Sequence, residues 1–394
     1  MERGNAEGAG TDPDPGADPG DPGAGYLTEP RAPRDRDAPQ LHGGSDVNPG
    51  DRHVGGASHL RGAGAAPAAA PRDRLEAVLY ELRRVIVGQD ELLDRILVAL
   101  LARGHVLLEG VPGLAKTLTL ETVATVSGGR FRRIQFTPDL VPSDVVGGQV
   151  LDRSGDFTTR LGPVFANFVL ADEINRAPAK VQSALLEVMA EGHASIAGET
   201  HPVDRPFFVL ATQNPIESEG VYALPEAQLD RFIFKLVVGY PSVADEEEIV
   251  RRMASDPPEP RCLLDPAEIV ALQQMADDVF VDHRVRSYAV RLVTATRDPG
   301  DAGLPELAPY LEIGGSPRAS LSLIRGARAL AVMRGRSYVL PEDVAALFHD
   351  ALRHRVVLSY EALAAEVRPD QVLDSIIAAI PQPKVEIGGG RVVA

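Results

Sequence analysis

Residues Gly110-Val-Pro-Gly-Leu-Ala-Lys-Thr117 stand directly after the apolar run His105-Val-Leu-Leu-Glu109 and directly before an apolar-periodic stretch, Thr117 to Val126. A glycine-bearing loop between a strand and a helix turns several backbone N–H groups toward one point, and such a point binds phosphate. The candidate cradle is Gly110, Val111, Pro112, Gly113, Leu114, Ala115, Lys116 and Thr117. The N–H groups from Gly113 to Thr117 would wrap a β-phosphate. Lys116 would reach the β- and γ-phosphates, and the Thr117 hydroxyl would ligate Mg²⁺. The GxxxxGKT pattern is met except at Ala115, whose methyl group is expected to take a helical or extended φ at the start of the helix. The chain has four lysines (116, 180, 235 and 384), so a sequence that otherwise uses arginine keeps a compact ammonium at this loop.

Two further groups fit the same chemistry. The apolar run Phe168-Val-Leu-Ala171 ends in Asp172-Glu173. At the carboxyl end of a strand beside the phosphate loop, Asp172 suits the metal side and Glu173 suits the base that orients and deprotonates a water. Phe207 to Leu210 runs into Ala211-Thr-Gln-Asn-Pro215, which brings Asn214 to the same edge, where it can hold the attacking water. Alone, an Asp-Glu pair is more often a helix cap, and an Asn-Pro turn is commonplace. Both assignments lean on the loop.

These residues need a scaffold that gathers strand ends at one edge. Short apolar runs (105–109, 131–136, 165–170, 207–211, 232–238) alternate with helical stretches (117–126, 181–191), which predicts a parallel sheet with helices on both faces. Two helices, through Leu75 to Val85 and Leu92 to Leu100, precede it. Beyond Tyr240-Pro241 the pattern is helical: 245–253, 266–279, 284–297, 319–334, 341–354 and 371–379. Residues 1–71 are expected to be a disordered tail, since 1–70 hold 14 Gly and 9 Pro and carry 11 acids against 6 arginines. The expected organisation is 1–71 tail, 72–240 nucleotide-binding domain, 241–382 helical lid domain and 383–394 C-terminal tail.

The remaining composition narrows the function. With 40 Lys plus Arg against 56 Asp plus Glu, the net charge of −16 argues against sequence-independent binding to nucleic acid or anionic lipid. One cysteine, Cys262, rules out an internal disulfide or a cysteine-based zinc site; it is expected as a small half-buried side chain at the start of a helix. The nine histidines form no ligand cluster by spacing: His349 and His354 lie five apart, off the i, i+4 face. Ile96 to Ala102 is far too short to cross a bilayer, and no signal pattern opens the chain. A cytoplasmic protein is expected. Acids at 245–248 and Arg251-Arg252 have the spacing of ion pairs within one helix.

The loop at 110–117, Ala-Asp-Glu-Ile-Asn-Arg-Ala-Pro (171–178), Ala-Thr-Gln-Asn-Pro (211–215) and Leu-Pro-Glu-Ala-Gln-Leu-Asp-Arg-Phe (224–232) together resemble the MoxR group of AAA+ ATPases, over residues 72–382. The resemblance implies a P-loop αβα sandwich with a five-stranded parallel sheet, an all-α lid, and a homo-oligomeric ring, usually a hexamer. It places Val87-Gly88-Gln89 near the adenine and makes Glu173 the Walker B glutamate and Asn214 the first sensor. Arg231 becomes the arginine finger given to a neighbouring subunit, and Arg318 the second sensor. ATP and Mg²⁺ are the implied cofactors, and a von Willebrand A domain protein and protein clients the implied partners. Two stretches, 137–160 with a Ser154-Gly155 turn and 194–206 with Gly198-Glu199 as the candidate turn, look like the inserts that face the channel in such rings. The implied function is chaperone-like remodelling driven by ATP hydrolysis. A chelatase-type motor subunit and a nucleotide-gated scaffold with negligible hydrolysis are the alternatives.

Overall fold

The structure, a computed structural model, describes residues 70–110, 113–214, 220–254, 257–387 and 391–393; the expected tail and the loop residues Val111, Pro112 and Pro215 lie outside them. Helices α1 (Pro71–Val85) and α2 (Asp90–Leu101) lead into β1 (Val106–Gly110), α3 (Lys116–Val126) and β2 (Phe131–Gln135). A short α4 (Pro142–Val146) and the strands β3 (Gly147–Leu151) and β4 (Phe157–Leu161) precede β5 (Phe168–Asp172) and α5 (Ala179–Glu191). Strands β6 (His193–Ile196) and β7 (Glu199–Pro202), β8 (Phe208–Gln213), α6 (Glu226–Leu229) and β9 (Phe234–Val238) complete this half. The sheet runs β2-β5-β8-β1-β9, all parallel, as expected.

Alternate residues of the three central strands, β5, β8 and β1, enter different cores, because successive side chains point to opposite faces. Leu107, Val169 and Val209 pack with Val181, Leu185 and Leu186 of α5, whereas Leu108, Leu170 and Leu210 pack with α2 and α3. Covering both faces is why these central strands read as near-unbroken apolar runs rather than alternating ones.

The second half holds α7 (Val243–Met253), α8 (Pro266–Asp278), α9 (His283–Ala295), β10 (Leu311–Ile313) and α10 (Pro317–Met333). After them come α11 (Pro341–Ala345), α12 (Phe348–Leu352), β11 (Val357–Leu358), α13 (Tyr360–Ala364), α14 (Pro369–Ala379), β12 (Val385–Ile387) and β13 (Arg391–Val393). The N-terminus of α8 shows how local these choices are: Pro266 has no N–H to lose, Asp265 accepts from the Glu268 N–H at 2.8 Å, and Glu268 accepts from the Asp265 N–H at 3.0 Å.

Several expectations change. The single helix at 341–354 is broken into α11 and α12, where Arg95 donates from Nη2 to the Ala346 carbonyl at 2.8 Å and from Nε to Asp350 at 2.6 Å, so that carbonyl is engaged outside the helical ladder. Residues 383–394, read as a tail, include the antiparallel pair β12–β13. Cys262 is exposed and lies in an extended stretch four residues before α8, because that stretch crosses to α3, where the Leu263 and Leu264 N–H groups donate to the Val126 carbonyl. The turn of the β6–β7 hairpin is Ala197-Gly198, both at positive φ, one residue earlier than expected; two consecutive positive φ values match the twist of a tight hairpin. In the β3–β4 hairpin the register sets Leu151, Phe157 and Leu161 on one face, all exposed, while the Asp152 carboxylate caps its loop by accepting from the Ser154 and Asp156 N–H groups.

Glu81 is a buried charge that ties α1 to the stretch before α8. Its side chain has no exposed surface, and hydrogen bonds from Arg261 (2.8 Å) and Arg84 (2.7 Å) hold its carboxyl down to about 2, from an ordinary value of 4.5. A depressed folded pKa contributes stability that is present in full above the unfolded value and is lost as pH falls through the folded one. Glu81→Ala is expected to lose about 1 to 3 kcal/mol at neutral pH, because charge-assisted hydrogen bonds are lost while both guanidinium groups keep contact with solvent. In denaturant titrations the gap between parent and variant should narrow from pH 5 to pH 2. A gap that stays constant over that window would show that packing, not charge, is what Glu81 supplies.

Candidate functional site

All five strands point the same way, so the loop after β1, the end of β5 and the end of β8 meet at one edge. There they enclose a cleft of about 550 Å³ lined by Gly113 to Thr117, Arg133, Asp172, Glu173, Thr212 and Asn214. Six of the predicted loop residues and all three strand-end residues are thus placed together or directly adjacent. Gly110 belongs to this group through its carbonyl, which accepts from Lys116 Nζ at 2.5 Å.

The loop is built by its glycine and by α3. Gly113 sits at φ +87° with open space where a side chain would stand, as a cradle for an anion requires. Ala115, expected helical or extended, is left-handed, with φ 52° and ψ 26°. A methyl group there costs about 1 to 2 kcal/mol. The conformation is held because the Ala115 carbonyl is the first acceptor of α3, taking the Thr119 N–H at 2.8 Å and the Thr119 hydroxyl at 3.0 Å. Lys116 and Thr117 follow in the first turn, whose N–H groups have no partner inside the helix. Burial pushes the Lys116 ammonium down, and the charges of Asp172, Glu173 and Glu109 oppose that shift.

The acids face this loop. Asp172 Oδ1 accepts from the Thr212 hydroxyl at 2.6 Å, and Oδ2 accepts from Arg133 at 2.6 Å. Glu173 is left-handed at φ 56°, its N–H donating to Thr212 Oγ1 at 2.9 Å. That bend turns its carboxylate off the strand axis, where Oε2 meets Gln135 Nε2 at 3.0 Å and Arg176 Nε at 2.9 Å. Non-glycine residues in this conformation concentrate where function requires the strain. Asn214 is buried at the end of β8.

Gln89 approaches the loop from the other side, its Nε2 donating to the Leu114 carbonyl at 3.4 Å while its buried Oε1 has no partner. Gly88, at φ +72°, lies against the Asp245 side chain of α7, so no side chain fits there.

Arg231 and Arg318 are elsewhere. Arg231 precedes β9, whose start pairs with the start of β1, so it sits at the amino edge of the sheet, about 15 Å from the cleft. Its Nη1 donates to the Leu186 carbonyl rather than pairing with Asp230 or Glu226. Asp230 instead accepts from the buried Arg355 at 2.7 Å and from the Ser316 hydroxyl at 2.8 Å, with exposed Arg318 at 4.0 Å. Arg133, Gln135, Arg176, Thr212 and Arg355 carry no assigned role in the sequence reading. Arg133 and Gln135 had one legible signal: they flank apolar Ile134 on a strand, so both point to one face.

The residues present fit Mg²⁺ and a nucleotide. Thr117 and Asp172 are oxygen donors suited to a hard cation, and the Gly113 loop, Lys116 and the helix N-terminus suit a polyphosphate. A doubly covered parallel sheet with this loop and this acid pair is the nucleotide-binding unit of an AAA+ ATPase. Residues 105–234 match the family described as ATPase family associated with various cellular activities, and residues 307–376 match the AAA lid domain. The chain is 53% identical over 344 residues to Chaperone MoxR1 of Mycobacterium tuberculosis, covering 87% of this chain and 91% of that one. It is 31% identical to Protein MoxR of Methylorubrum extorquens, covering 79% and 96%. A crystal structure from Cytophaga hutchinsonii superposes with a TM-score of 0.76 at 42% identity, covering 80% of this chain and 96% of that one. The chain belongs to the MoxR family of AAA+ ATPases.

Proposed function

We propose that this protein hydrolyses ATP and uses the energy to remodel or assemble protein clients, in the manner of a chaperone. The observation that carries the reading is the convergence of Lys116, Thr117, Asp172, Glu173 and Asn214 on one cleft. Lys116 and the loop N–H groups bind and orient the phosphates, Thr117 and Asp172 hold Mg²⁺, Asn214 positions a water, and Glu173 takes its proton. Gln89 and Gly88, beside the Leu114 carbonyl and Asp245, would receive the adenine, as the family resemblance implies. Held by Thr117 and Asp172, Mg²⁺ would supply charge neutralisation to the phosphates.

Arg231 and Arg318 are part of the same reading, with Arg231 a strand length from its own cleft. Both are exposed cations beside Asp230, which supports Arg231 acting on a neighbouring copy in a ring, a hexamer by family resemblance, with Arg318 as the second sensor. Residues 72–240 then form the nucleotide domain and 241–382 the lid. A von Willebrand A domain partner is the family's expectation for client delivery, and the exposed Leu151, Phe157 and Leu161 face supports a protein as client. Among the described residues no helix is long and apolar enough to cross a membrane; a cytoplasmic location is the proposal.

Lys116→Ala is the direct test. Removing the charge opposite the phosphates should weaken ATP binding about 10²- to 10³-fold in calorimetry. Parent-like affinity would remove the loop from the site. Steady-state phosphate release by the parent separates a motor from a nucleotide-gated scaffold.

A further inference from the structure

The two faces of the β3–β4 hairpin differ in chemistry. Leu151, Phe157 and Leu161 share one, and the register puts Val150 and Arg160 on the other, with Gly148 directly opposite Arg160. This second face borders a groove of about 790 Å³ to which the edge strand β2 contributes Arg132 and the residue before it, Arg130. Arg132 and Arg160 are exposed, and their guanidinium groups have no hydrogen-bond or ion-pair partner among the described residues. Arg130 meets Asp204 in a pair that is more than half exposed on both sides, so it holds weakly. The one carboxylate of the groove, Asp144, is committed to capping α4, its Oδ2 accepting from the Val141 N–H at 2.9 Å. Gly148 leaves the space opposite Arg160 open, since a methyl group there would find its nearest neighbour, Ser143 Cβ, at 3.7 Å.

We propose that this groove binds an acidic, extended segment of a protein client, with Arg132 and Arg160 taking its carboxylates and Val150 and Phe165 its apolar side chains. This rests on the reading of the protein as a remodeller of protein clients. Charge complementarity carries the choice of occupant. In a chain of net charge −16, where Arg83, Arg95 and Arg353 each meet an acid, the groove gathers three guanidinium groups against one committed carboxylate. A guanidinium fork matches a carboxylate with two parallel hydrogen bonds. The same net charge repels a long phosphate backbone, and the groove also offers apolar surface, with Val150 45% exposed and Phe165 half-buried. Carboxylates interspersed with apolar side chains fit both features. No residue of the groove lines the nucleotide cleft: Arg132 and Arg133 are neighbours on β2 and point to opposite faces, one to each site. Segment and nucleotide therefore bind without competing.

The test uses the full chain and a fluorescein-labelled synthetic peptide in which Glu alternates with Val, read by anisotropy, beside the same peptide with Gln in place of Glu. The Glu peptide is expected to bind about tenfold tighter than the Gln peptide and to lose that advantage in high salt. Arg132→Gln combined with Arg160→Gln should weaken the Glu peptide about tenfold. Gly148→Val, which keeps every charge and fills the space opposite Arg160, should also weaken it. Arg153→Gln removes the same charge from the hairpin loop outside the groove and should change nothing. The proposal is overturned if the two peptides bind alike or not at all, if the double variant or Gly148→Val binds as the parent does, or if Arg153→Gln loses as much as the double variant. A labelled single-stranded oligonucleotide that binds more tightly than the Glu peptide, and is lost in the double variant, would make the groove a nucleic-acid site and overturn the peptide. Should the double variant fold poorly, Arg160→Lys keeps the charge but not the fork, with about a threefold loss expected and no loss overturning the proposal. Phosphate release without peptide is measured alongside: its absence in the parent removes the motor reading, whereas failed peptide binding with intact release removes only the groove.

Discussion

Arg231→Ala is expected to bind ATP with parent affinity and to hydrolyse it about 10³ to 10⁵ times more slowly. An arginine finger stabilises charge that develops only in the transition state, so its loss leaves ground-state binding intact. The position of Arg231 sharpens this. At the amino edge of the sheet, a strand length from its own cleft, it has no route to its own phosphates, and its visible partner is the Leu186 carbonyl. The substitution removes a single part-buried hydrogen bond from an exposed side chain, so folding should be little affected. Mixing Arg231→Ala with Glu173→Gln should restore part of the activity, because some interfaces then join an intact Glu173 site to an intact Arg231 donor. A mixture that forms shared rings yet stays inactive would place Arg231 in a purely structural role at the α5 contact.

Glu173→Gln is expected to hydrolyse ATP about 10² to 10⁴ times more slowly while retaining it. Glutamine keeps the size of the side chain and its capacity to accept from Gln135 and Arg176, so the left-handed turn at 173 and the bond to Thr212 persist. Only the proposed base is removed. Filter binding should therefore show long-lived ATP, and the proteins that co-purify with this variant are the candidate clients. Parent-rate phosphate release would assign the water to another group.

Much of the site was legible because its residues are close in sequence and their chemistry is local. A loop of eight residues between a strand and a helix specifies a phosphate cradle, and an acid pair after an apolar run specifies a strand end at the same edge. The parallel sheet was legible for a related reason: strands covered on both faces must be apolar throughout, as Phe168-Val-Leu-Ala171 and Phe208-Val-Leu-Ala211 are. The left-handed conformation of Ala115 was not. A methyl group argues against it locally, and only the fixed geometry of strand β1 and helix α3 on either side imposes it.

The remaining features depend on which distant residues the fold brings together. Arg133 and Asp172 are 39 residues apart and meet because β2 and β5 are sheet neighbours, a pairing that periodicity does not encode. Arg355 reaches Asp230 across 125 residues, and Arg95 breaks a helix 251 residues away by taking one carbonyl. Sequence alone therefore determined the loop pattern and the strand ends that meet beside it, because those follow from residue type and short-range spacing. Tertiary structure alone decided which guanidinium holds which carboxylate, and on which edge of the sheet Arg231 stands, because ion pairs across a fold are set by strand order and packing.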